Sequence, residues 1–216
     1  MKRTLSLVLC AAALLASAGP VRADLYARLQ GIYALPTGTS YSGSVGFGIA
    51  AGWELDPRFS LELGLRNWSL KSAGSVDGLS LGKLNVLPVE VALKARFPLG
   101  EKLTAFGEAA AGYAIHSFKL DEDLVDDYDS VGFEIDETCN GGLAVRLGAG
   151  IELVLSPKMS LDFTAGYTLL KGSGEWSITD VHSGETASGM LTGLSFDTLT
   201  LSLGLKIALS GPGKNQ

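Results

Sequence analysis

Little in this chain suits reaction chemistry. Its 216 residues include two cysteines and two histidines. Cys10 falls in the first 23 residues, so a chain starting at Asp24 keeps Cys139 alone and forms no internal disulfide. A disulfide-stapled scaffold and the Cys/His spacings of zinc sites are both excluded. Phosphate-cradling loops and basic stretches with interleaved aromatics are missing as well, so no cofactor and no nucleic-acid partner is expected. His116 precedes Ser117 and His182 precedes Ser183, but successive strand residues point to opposite faces. No base is therefore set beside a nucleophile, and no catalytic residue is assigned. The scarcity that decides most is of long apolar runs. Although 46% of the chain is hydrophobic, no run after residue 23 reaches the roughly 20 residues a spanning helix needs.

The first 23 residues read as a secretory signal peptide. Lys2 and Arg3 supply the positive start, Leu5–Ala18 the apolar core, and Val21-Arg22-Ala23 a small-residue cleavage site. Leu9 before Cys10 is too bulky for a lipoprotein signal. Of the 17 basic residues, Lys2, Arg3 and Arg22 precede Asp24, so 14 bases remain against 23 acids and the charge from Asp24 onward is about −9. The length from residue 24 to 216 suits one domain.

What the chain does have is alternation. In Thr198–Leu209, Leu199, Leu201, Leu203, Leu205, Ile207 and Leu209 take one face of a strand. Thr200, Ser202, Gly204, Lys206 and Ala208 take the other. A large, purely apolar face opposite a small, polar one is the inverse of a soluble sandwich strand. It suits a strand in a bilayer, where about 9–11 tilted residues span. This last strand is expected to run from Ser195 to Leu209, and seven more stretches repeat its pattern: Leu25–Leu35, Val45–Leu55, Phe59–Leu70, Val86–Phe97, Leu103–Ser117, Leu143–Leu155 and Met159–Leu170. The apolar stripe falls on odd numbers in each, uninterrupted by charge, and a basic residue there costs roughly 2–4 kcal/mol at mid-depth.

Eight strands predict a transmembrane up-and-down antiparallel β-barrel. Short proline-bearing connections at Asp56–Arg58, Pro98–Lys102 and Ser156–Lys158 alternate with long ones at Pro36–Ser44, Lys71–Asn85, Phe118–Gly142 and Lys171–Leu194. Short turns belong on the periplasmic side and long loops outside. WELDPRFSLELG and LVLSPKMSLDFT repeat one hairpin unit. Trp53, Phe59 and Phe97 stand at one interface of the apolar stripe, and Phe47, Tyr113 and Tyr167 at the other. Pro88, without a ladder donor, and Trp68, on the inward parity, predict a bulge near one or both.

The even face collects six acids and six bases. Glu54, Glu62, Glu90, Glu108, Glu152 and Asp162 stand against Arg28, Arg66, Lys94, Arg96, Arg146 and Lys206. Glycines separate them, and a barrel of this size has an interior just wide enough for side chains to fill. The expectation is a paired polar plug, with Glu62, Lys94, Glu152, Asp162 and Lys206 at similar heights. An ion pathway or a catalytic carboxylate pair is the alternative.

Signal peptide, eight alternating strands, and segments such as LPVEVALKARFPL and LTAFGEAAAGYAI resemble the OmpA/OmpX-like outer-membrane β-barrel families. The likeness is one of residue classes and spans the whole chain from residue 24 to 216. It departs at the end, where Leu209 stands in place of the usual terminal aromatic and a tail, 210–216, follows. The resemblance implies an outer-membrane location in a Gram-negative type of envelope, assembly by the barrel-assembly machinery, and contact with lipid bilayer and lipopolysaccharide.

The third long loop, about 118–142, is acidic. Asp121, Glu122, Asp123, Asp126, Asp127, Asp129, Glu134, Asp136 and Glu137 face Lys119 alone. Asp127, Asp129 and Glu134 are the nearest approach to a cation site, but the calcium-loop pattern is incomplete, so no metal is assigned. Leu124, Tyr128 and Phe133 add apolar anchors. The reading is a non-enzymatic monomeric barrel that supports the envelope or meets a basic or cation-bridged surface ligand through this loop. A narrow channel for small solutes and a lipid A-modifying enzyme are the alternatives. A soluble lipocalin-like carrier would have an apolar lumen, contrary to the twelve charges.

Overall fold

Strict alternation with no charge on the large face leaves a sheet one way to satisfy both its edges and its lipid-facing surface, namely closure. In the structure, a computed structural model that describes residues 24–38, 41–72, 75–76 and 79–209, the sheet closes. The expected leader and the tail lie outside these residues. The elements are β1 (Asp24–Pro36), β2 (Tyr41–Ser42), β3 (Ser44–Glu54), β4 (Phe59–Ser72), β5 (Ser75–Val76), β6 (Leu79–Ser80), β7 (Gly82–Pro98) and β8 (Leu103–Leu120). There follow α1 (Glu122–Ser130), β9 (Phe133–Asn140), β10 (Gly142–Ser156), β11 (Met159–Asp180), β12 (Thr186–Ser195) and β13 (Thr198–Ala208).

Eight of these are staves, in the order β1-β3-β4-β7-β8-β10-β11-β13, and β13 pairs back onto β1 with Tyr26 opposite Ala208. Every pairing is antiparallel. Odd residues such as Phe47, Leu147 and Leu203 stand exposed on the outer wall, and even ones such as Arg28, Trp68 and Thr168 are buried. The tight connections follow from local chemistry. At β3–β4 the Asp56 carboxylate accepts from the Arg58 and Phe59 amides at 2.6 and 2.7 Å. At β7–β8 the Leu99 amide donates to the Leu103 carbonyl.

Three expectations change. No bulge forms at Pro88 or Trp68, because the register pairing Leu65 with Val89 is the one pairing Trp68 with Val86. The ladder passes over the proline without inserting a residue, and Trp68 lies inward over Gly46, where a Cβ would meet the Asn67 carbonyl at 2.1 Å. Register shifts occur instead at Val154/Ser156 and Gly172/Gly174. Secondly, β11 does not stop at Leu170. Its 22 residues exceed the 9–11 a bilayer needs, so the upper part projects outward. There it pairs with β9 on one side and β12 on the other, forming a three-stranded flap. Thirdly, the last strand expected from Ser195 is divided at Phe196-Asp197. The Asp197 carboxylate accepts from the Leu170 amide at 3.1 Å and from the Tyr167 hydroxyl at 3.2 Å, pinning flap to barrel.

Candidate functional site

Because even residues of all eight staves face inward, the lumen inherits every charge on that face. Twelve charges arrange as two storeys. In the middle, Arg28 bridges Asp162, donating from Nε at 2.9 Å, and Glu62 at 3.3 Å. Lys94 and the Tyr26 hydroxyl hold the other Glu62 oxygen at 2.7 and 2.8 Å. Arg146 pairs with Glu90 at 3.2 Å and closely with Glu108, while Arg66 stands 3.6 and 4.0 Å from the same two acids. All eight of these charged side chains are buried. Four of each sign cancel, as removal from water demands.

The second storey sits at the periplasmic mouth. Glu54 receives Arg96 at 2.8 Å and Lys206 at 2.6 Å, and Glu152 receives Lys206 at 3.1 Å, Arg96 at 3.4 Å and the Ser160 hydroxyl at 2.8 Å. The five residues expected at one height therefore divide. Glu62, Lys94 and Asp162 belong to the middle storey, and Glu152 and Lys206 to the lower. The cause is strand tilt, which makes equal distance from a turn unequal depth in the barrel. Lys206 also lies 4.4 Å from the Tyr26 ring centroid, linking the storeys. Below them opens a recess of about 180 Å³ reaching Asp24 and Lys158, while the void between Gln30, Arg66 and Glu90 is about 10 Å³. The latter holds at most one water.

Sequence reasoning missed what lies above. Ile32, Trp68, Leu70, Leu84, Val86, Leu170 and Phe196 meet inside the outer end as an apolar cap. The signal was present, since Leu70, Leu84, Val86 and Leu170 break the small-and-polar rule of the even face near stave ends. His116 packs edge-on against Phe196, centroids 5.1 Å apart, with neither ring nitrogen in a hydrogen bond of ordinary geometry. Ser117 points away from it.

Outside, the acidic loop is ordered. Asp121 caps α1, accepting from the Asp123 amide at 3.4 Å, and Leu124 is buried. Glu122 binds Lys119 at 2.9 Å. Asp123, Asp126, Asp127 and Asp129 share the helix, and Glu134, Asp136 and Glu137 lie on β9. Two residues apart on a helix, Asp127 and Asp129 point to different sides. Among the described residues no three potential ligands come together for a metal ion. Cys139 is in β9, half-buried and unpaired. At the flap tip Asp180 accepts from the His182 amide at 2.8 Å and the Ser183 hydroxyl at 2.9 Å, bonds that hold its carboxyl below the usual range. The carboxylate takes the serine itself, so this is a turn lock and not a relay through His182.

The sequence profile of the outer membrane protein beta-barrel domain matches residues 4–206. No curated protein sequence matches the chain. Among solved structures, the outer membrane protein OprG from Pseudomonas aeruginosa aligns with a TM-score of 0.64 at 11% identity, over 86% of this chain and 96% of that one. Neisserial surface protein A aligns with a TM-score of 0.58 at 11% identity, over 86% and 97%. The outer membrane protein AlkL in DMPC bilayers gives 0.50 at 14% identity, over 93% and 96%. At these identities the likeness is one of fold.

Proposed function

This chain belongs to the outer membrane protein beta-barrel domain family, and on that premise we propose that it is a non-enzymatic, sealed barrel whose work is done by the flap it presents outside the cell. One observation carries the reading. The interior is filled from the lower ion storey through the buried charges to the apolar cap, while β9, β11, β12 and α1 stand above it. A rigid scaffold with a filled centre leaves its outer loops to meet other molecules. The acids of α1 and β9 support a basic or cation-bridged ligand, including lipopolysaccharide held through divalent ions.

The barrel acts as a monomer, having reached the outer membrane through a cleaved leader and the barrel-assembly machinery. Its twelve paired charges also stiffen it as an envelope element. Three measurements test this. Planar-bilayer recordings of the purified protein are expected to show no steady conductance, and a stable open level would establish the narrow channel instead. Replacing Leu124–Asp136 with a Gly/Ser linker is expected to leave folding intact and to abolish salt-sensitive binding to cell surfaces. Unchanged binding at low and high salt would remove the flap from the function. Lipid A of identical mass with and without the protein is expected, and an altered mass would make it an enzyme.

A further inference from the structure

The flap is amphipathic across its strands. Paired residues in antiparallel strands share a face, so the registers Trp176–Gly189, Ile178–Ala187 and Ile178–Ile135 sort the side chains. One face carries Phe133, Ile135, Trp176, Ile178, Ala187 and Leu191. The other carries mainly Ser, Thr and acids, such as Ser177, Thr179, Asp136 and Glu134. The apolar face is continuous with the cap below, since Cys139 and Leu194 pack against it at the flap's base. Yet it is uncovered higher up, where Trp176 is 37% exposed, Phe133 37% and Leu191 49%. These residues rise past the Tyr113 and Tyr167 level, so lipid does not explain them.

Charge decides what fits there. Glu137 and Asp180 lie on the apolar face itself. The carbonyl of Gly132 accepts from the Val181 amide at 3.0 Å, tying the end of α1, with its Asp123, Asp126 and Asp127, to the flap tip. Lys119 is the single base between residues 118 and 142 and is already held by Glu122. A hydrocarbon chain would satisfy the apolar face and leave the acids unmatched. A second copy would bring acid against acid.

We propose that the inner face of the flap docks cationic amphipathic peptides, their apolar side on Trp176 and Leu191 and their lysines or arginines toward Glu137, Asp180 and α1. This deepens the surface-interaction reading and rests on it. Trp176 supplies a flat anchor, its ring lying over Gly189, where a Cβ would meet the indole at 2.7 Å.

The test uses the full chain in nanodiscs of zwitterionic lipid, with empty nanodiscs subtracted. The probe is a labelled peptide of lysine and leucine at helical spacing, and the controls are an oligolysine and a glutamate/leucine counterpart. The lysine/leucine peptide is expected to bind, and the controls at least about tenfold more weakly. Trp176→Ser with Leu191→Ser, and separately Asp123→Asn with Asp126→Asn and Asp127→Asn, are each expected to weaken binding about tenfold. Only the second set should also lose its salt dependence. Heat-dependent gel mobility confirms that each variant is folded. Equal binding of oligolysine, equal binding of the glutamate/leucine peptide, or self-association of the protein in place of peptide binding would each overturn the inference. Absence of peptide binding, while linker replacement of Leu124–Asp136 still abolishes attachment to surfaces, would sink this inference and leave the broader function standing.

Discussion

Arg28 on β1 and Asp162 on β11 are 134 positions apart and on staves that do not touch, yet their guanidinium and carboxylate meet face to face. The stave between them, β13, yields the space. Gly204 stands opposite Asp162 in register, and a Cβ there would lie 2.5 Å from the Asp162 carboxylate. Arg28 thus ties β1 to β11 and, through Glu62, to β4.

Arg28→Leu removes the cation that both Glu62 and Asp162 face. Breaking a buried pair by deleting one partner costs about 3–5 kcal/mol. The folded, unboiled gel band is expected to persist only to a lower temperature or urea concentration than in the wild type. Wild-type resistance would show that Lys94 and Thr164 alone satisfy the two acids.

Gly204→Ala tests the same site from the other side. The added methyl meets a carboxylate already held by Arg28, so one of the two must move. A destabilisation of about 1–3 kcal/mol is expected, as for overpacking elsewhere. Combining it with Arg28→Leu is expected to cost less than the sum, because the freed carboxylate can then turn away. Strict additivity would mean that Gly204 and the ion pair are independent.

Gly46→Ala probes the cap. The new Cβ would meet the Asn67 carbonyl at 2.1 Å and the Trp68 Cβ at 2.7 Å, contacts that backbone cannot easily relieve. Trp68 is expected to lose its buried position, shifting its fluorescence to the red. An unshifted spectrum with unchanged stability would show that the strands spread at no cost.

Much of the barrel was legible along the chain because a bilayer constrains every second residue of every stave in the same way. The odd stripe from Val45 to Trp53, or from Leu199 to Ile207, has one meaning wherever it occurs. The even face was legible only as a composition. Six acids and six bases demand pairing, but which acid meets which base depends on tilt and on glycines that open lines across a stave. Hence Glu62 and Glu152 belong to different storeys, and Arg28 finds Asp162 past Gly204.

Composition and alternation by themselves determined that the chain forms a closed membrane barrel with uncharged walls, a neutral charged lumen and an acidic outer loop. Those properties follow from solvent preference residue by residue, which needs no knowledge of neighbours. The apolar cap, the two storeys and the amphipathic flap were decided only in three dimensions. Leu170 and Phe196 become a cap when eight stave ends converge, and Trp176 and Leu191 share a face when β11 and β12 pair. Such properties depend on register between segments far apart in sequence, and closure of the barrel is what sets that register.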